Sequence, residues 1–159
     1  MGFIAGQYTM TVGSGSPVSA GQLQEGVKIS HTFFKQLITG DNMAQSPQNG
    51  VFQGGEVGVE YRLMEYNAAA AATLFWPYGS AYLTMDGVIG ALDDSFADQL
   101  ILSALSGTPA ASTPASITMP YCILSEGYPV EILFAPEHRT IPIKQRVYPS
   151  SNKVFGTLT

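Results

Sequence analysis

Two histidines, one cysteine and twelve carboxylates are the residues of this chain with the most chemistry to offer. His31 and His138 have no Cys or second His within a few residues. Zinc takes three or four such ligands, so no metal site is expected, and both histidines read as surface or interface residues. Cys122 lies in an apolar run and reads as a small buried hydrophobe. A thiol nucleophile would want an activating base beside it, and no such base can be picked out from the sequence. Asp93 and Asp94 are adjacent, so on a strand they would point to opposite faces and could not share a proton as an acid/base pair. Gly13-Ser14-Gly15 lacks the spacing and helix context of a phosphate loop or nucleophile elbow and reads as a turn. No catalytic residue, cofactor or metal is expected, and the chain reads as something other than an enzyme.

Charge is sparse. Hydrophobic residues make up 45% of the 159 and charged residues only 12%, against about 25% in an ordinary soluble domain. A surface so poor in charge favours association with partners. The net charge of −5 argues against a phosphate-binding footprint, although it would let nucleic acid pass without sticking. Glu60 and Arg62 share one face of a strand, as a solvated or intersubunit ion pair would. Four of the seven bases come late (Arg139, Lys144, Arg146, Lys153), while Asp86, Asp93, Asp94 and Asp98 cluster earlier, an asymmetry suited to head-to-tail contact between copies. A single cysteine allows no intrachain disulfide and fits the cytosol. No signal-peptide pattern, myristoylation motif or apolar run of spanning length is read, so no membrane partner is expected.

The elements that must position these residues are mostly strands. Tyr8, Met10 and Val12 alternate with polar neighbours over 7–12, the period of a half-buried strand. Val27 and Ile29 repeat the pattern over 25–31, and Phe33, Phe34, Leu37 and Ile38 continue it through a bulge. Residues 39–50, with few apolar side chains, read as a long interaction-bearing loop. Val57, Val59, Tyr61 and Leu63 form the clearest alternation, placing Glu60 and Arg62 on the other face. Asn67 before five alanines predicts an N-capped helix of about two turns. Further strands are expected over 99–105, 117–125, 128–134 and 143–148, the middle two joined as a hairpin at Glu126-Gly127. A short helical turn or a strand cap is expected at Asp93-Asp94. The sum is a mainly β protein, a sandwich or barrel of about seven strands with one short flanking helix. Residues 1–149 read as one domain and 150–159 as a C-terminal tail.

One stretch resembles a known family. Gly40-Asp41, then Pro47, then Val51-Phe52 with Gly54, then the strand ending Leu63-Met64-Glu65, is similar to the tail tube and related virion proteins of tailed bacteriophages. The opening Phe3 to Tyr8 and the late Pro129 to Pro136 look alike too. The resemblance implies a tail-tube-like β-sandwich whose subunits form rings, usually hexamers, that stack into a hollow tube. It implies that one sheet face lines a lumen for DNA, with Glu60 and Arg62 as candidates. It also implies a ring-stacking loop holding Asp41, Asn42, Met43, Gln45 and Pro47. The partners implied are further copies of the chain, other tail proteins such as sheath or tape measure, and DNA in transit. The location implied is the virion tail, after assembly in the host cytoplasm. Two other readings remain: another phage ring or decoration protein, such as a tail terminator or capsid stabiliser, and a monomeric small-ligand-binding β-barrel, which the aromatic residues Phe33, Phe34, Tyr61 and Trp76 would suit.

Overall fold

Alternation in the sequence becomes strand in the computed structural model, which describes residues 8–40, 46–78, 83–85, 87–105, 113–137 and 139–159. The strands are β1 (Tyr8–Val12), β2 (Val18–Ser19), β3 (Leu23–Thr39), β4 (Pro47–Leu63), β5 (Asp98–Ala104), β6 (Ser116–Leu124), β7 (Ile141–Val147) and β8 (Thr157–Leu158). All pair antiparallel in one sheet ordered β2-β1-β5-β6-β7-β4-β3, with β8 added on β6. The protein is therefore mainly β, with one short α-helix, α1 (Ala68–Leu74), and eight strands among the described residues, where about seven were expected.

The sheet curls around its own core. Met10 and Val12 from one end pack in the same cluster as Val57, Val59, Tyr61 and Leu63 from the other, with Leu100, Leu102, Met119, Ile143 and Val147 between them. The β1 strand lies against the base of β3, so the curl is nearly closed. The opening is covered by α1, which contributes Ala70, Ala71 and Leu74. Asn67 caps that helix as its sequence predicts: its Oδ1 accepts from the Ala69 N–H at 3.0 Å, and its Nδ2 donates to the Ser19 carbonyl at 3.2 Å. Small alanine side chains let the helix backbone approach the sheet, where a larger face would hold it off.

Several expectations are corrected. Residues 128–134 form no strand; the chain runs irregularly past Pro129 and Pro136, dropping Val130 into the core with Ile132 packed against it. The β6 strand instead pairs with β7, so Glu126-Gly127 begins a long excursion and not a hairpin. Pro142 lies in β7, beyond the stretch that β6 covers, where its missing N–H need not serve that neighbour. Residues 150–159 return to the sheet: β8 pairs with Ile117 and Thr118, and Phe155 packs on the core. Apolar content in a Pro-bounded run cannot separate strand from packed coil, which explains the miss at 128–134.

The largest correction concerns residues 39–50. Thr39 pairs with Pro47, Ile38 with Asn49 and Leu37 with Gly50, so β3 and β4 continue to the end of a ribbon of two 17-residue strands. Strand pairing therefore takes up residue 39 and residues 47–50 of the stretch expected to be loop. Of the proposed stacking-loop residues, Pro47 opens β4, while Asp41, Asn42, Met43 and Gln45 lie outside the described residues.

Candidate functional site

The ribbon divides into two parts. At its base β4 pairs with β3 on one side and β7 on the other, but β7 reaches only from Val57 to Leu63. Beyond that, β3 and β4 pair only with each other, and we call this part the arm. Residues 31–39 and 46–53 are all exposed, including Phe33, Phe34, Leu37, Ile38, Val51 and Phe52. A bulge marks the junction: the register shifts between Phe34 and Lys35 as Gln53 is looped out of the pairing. Gly54 there has φ +119°, and a Cβ at Gly55 would sit 2.7 Å from the Thr32 carbonyl oxygen. Only glycines suit both positions.

Register fixes which side chains share a face. Val27 opposes Tyr61, Ile29 opposes Val59 and His31 opposes Val57, so from Val27 onward the odd-numbered residues of β3 lie on the core side. Carried outward by the period of two, that side holds Phe33, Lys35 and Leu37, joined by Phe52, which opposes Lys35. The outer side holds Phe34, Gln36 and Ile38, joined by Val51, which opposes Gln36. The arm is thus apolar on both faces. Lys35 is the only charged residue described in it, with its Nζ 5.3 Å from the Phe33 ring centroid.

At the base the outer face carries charge in a different form. Glu60 sits 3.9 Å from both Lys28 and Lys144, on the two neighbouring strands. Arg146 contacts Glu56 at 3.2 Å and also Glu126. Arg62 pairs with Glu25 at 3.8 Å, not with Glu60. Four bases (Lys28, Arg62, Lys144, Arg146) meet four acids (Glu25, Glu56, Glu60, Glu126), so this face is neutral and the chain's net −5 resides elsewhere. All are substantially solvated, so each pair is worth under about 1 kcal/mol. Their effect is to cancel field, not to hold the fold together. Open grooves of about 530 and 210 Å³ run between these side chains. Val57, Val59, Tyr61 and Leu63 face the core and Glu60 and Arg62 face away, as the alternation predicts.

The reactive residue types are occupied structurally. Cys122 is buried, its Sγ 3.7 Å from the Met119 carbonyl, and burial, with Asp98 nearby, pushes the thiol up to about 12. It is therefore protonated and poorly nucleophilic. Asp93 and Asp94 open a one-turn 3-10 helix (Asp93–Ser95). Asp93 accepts a 2.7 Å hydrogen bond from the Tyr148 hydroxyl, which, with partial burial, pushes that phenol up to about 12. His31 is exposed on β3, and His138 lies outside the described residues. The buried Tyr61 hydroxyl donates to Gln145 Oε1 at 3.0 Å, and burial raises its pKa well above the usual value. Among the described residues no three of His, Cys, Asp and Glu gather as metal ligands, and no helix is long and apolar enough to cross a membrane.

What sequence reading missed is the β4 half of the arm, since the continuation of β3 through Phe33, Phe34, Leu37 and Ile38 was expected. Its signal was available in the apolar pairs Phe33-Phe34, Leu37-Ile38 and Val51-Phe52, but the polar residues over 39–50 suggested a loop. No protein-family model matches the chain, and no curated protein is significantly similar to it.

Proposed function

We propose that the protein is a structural subunit of a tailed-phage particle, closing into rings that stack as the tail tube. The observation that carries this reading is the arm: a ribbon with two free edges and apolar side chains on both faces. Such a ribbon is an aggregation hazard in a protein that works alone. In an assembly it supplies both strand pairing and apolar contact. The low charge of the chain fits a surface largely given over to contacts between copies.

The neutral outer face supports the conduit part of the reading. A basic lining would release counterions and hold the duplex, whereas a face of mutually cancelling pairs offers phosphates little attraction. Glu60 is central there, since it bridges the two lysines on either side.

Light scattering and negative-stain electron microscopy of the purified chain test the proposal. Rings or tubes are expected, and a stable monomer at high concentration overturns it. Single rings that never lengthen would instead favour a terminator-like protein. Within assembled particles, Glu60→Lys shifts the outer face from neutral to a charge of about +2 per subunit. Normal tubes with slowed DNA release are expected. Failed assembly would place Glu60 at a subunit contact, and no effect on either would remove it from the lumen.

A further inference from the structure

The inner face of the arm presents an apolar set, Phe33, Leu37 and Phe52, around a single cation, Lys35, which has no carboxylate partner among the described residues. A second surface of the same chain has the opposite character. In the connection leading to the 3-10 turn, Val88 and Leu92 are largely exposed and Ile89 is fully so, at 103% of its reference area. Asp94 follows them, exposed and in no ion pair among the described residues, with only the Ser95 hydroxyl at 3.5 Å. Residues 83–98 contain no Lys, Arg or His.

We infer that the inner face of the arm docks on the Val88–Asp94 connection of a second copy, with Lys35 of one chain against Asp94 of the next. This deepens the assembly reading above and rests on it. Three observations select a second copy as the occupant. First, the charges are complementary: the arm face is apolar around one cation without a carboxylate partner, and the connection is apolar beside two carboxylates, Asp93 and Asp94, that form no ion pair among the described residues. Second, the three apolar side chains of the inner face leave on the order of 350 Å² in water, close to half of the ~800 Å² that one partner gives to a standard interface. Third, the two surfaces are different, so the contact is head-to-tail, the type that generates rings or open polymers and not closed dimers.

The test is a charge exchange in the full chain: Lys35→Asp, Asp94→Lys, and the double variant. Circular dichroism checks the fold, which should persist because both side chains are exposed. Each single variant juxtaposes like charges and should lower the assembled fraction, read by light scattering, by about tenfold or more. The double variant should recover most of it. Assembly unaffected by the single changes, or no recovery in the double, overturns the docking contact while leaving assembly itself standing. A wild-type chain that stays monomeric at high concentration overturns both.

Discussion

The base and the arm of the β3–β4 ribbon are made of the same two strands, yet they obey different rules. From Val57 to Leu63 every second residue of β4 is buried, Val59 completely, and the strand has neighbours on both edges. From Pro47 to Gln53 every residue is exposed, Phe52 at 66%, and one edge of each strand is free. A period of two in hydrophobicity records a strand with one covered face. An apolar strand without that period records two covered faces, or none. In the arm the isolated chain covers neither, and the sequence is that of a segment meant to have both covered.

The largest expected effect separates the two parts directly. Val59→Asp buries a charge with no partner and should abolish the fold, seen as loss of the cooperative thermal transition. Phe52→Asp should move the melting free energy by no more than about 0.5 kcal/mol while blocking assembly. If both variants unfold, the arm is part of the folding unit and the distinction collapses.

A smaller effect probes the polar content of the base. Tyr61→Phe strands the Gln145 side-chain oxygen in the core and should cost about 1–3 kcal/mol in denaturant unfolding. Gln36→Leu, on the exposed arm, should cost nothing measurable. Next comes the helix that covers the core near the base. Asn67→Ala removes the cap of α1 and should cost about 1 kcal/mol by thermal melting.

The smallest effect is set by pH. Cys122 and Tyr148 both have folded pKa values raised to about 12, from 9.0 and 10.0. A raised value favours the protonated form in the folded state, so their contribution is complete below about pH 9 and is lost as pH rises towards 12. Stability should therefore decline across that alkaline window, and Tyr148→Phe should make the decline shallower between pH 10 and 12. Cys122 should resist alkylation in the folded chain at neutral pH and react once the chain is unfolded.

The base was legible in the sequence because its alternation, its inward residues and its outward Glu60 and Arg62 all follow from one period. The helix was legible because Asn67 and the alanines are strong local signals. The β4 half of the arm was not, because Gly50, Asn49 and Pro47 are turn-forming types, and only the pairing with Leu37, Ile38 and Thr39 makes them strand. The ion-pair partners were equally hidden. Glu60 and Arg62 are neighbours in sequence, but their charges are satisfied across strands by Lys28, Lys144 and Glu25, which register alone brings close.

The register shifts of the ribbon bear on how the isolated chain avoids fibril formation. Between the shift after Phe34 and the one after Ile38, only four residue pairs run in regular ladder. Cross-β stacking uses flat segments of about six or seven residues, so the most apolar stretch of the arm is interrupted before it reaches that length. Each interruption adds local twist, which a growing fibril would have to remove. The same bulges that aim the arm therefore slow its conversion to amyloid in a concentrated solution of the chain. Closing the bulge by deleting Gln53 should raise thioflavin-positive aggregation before it changes the melting of the base.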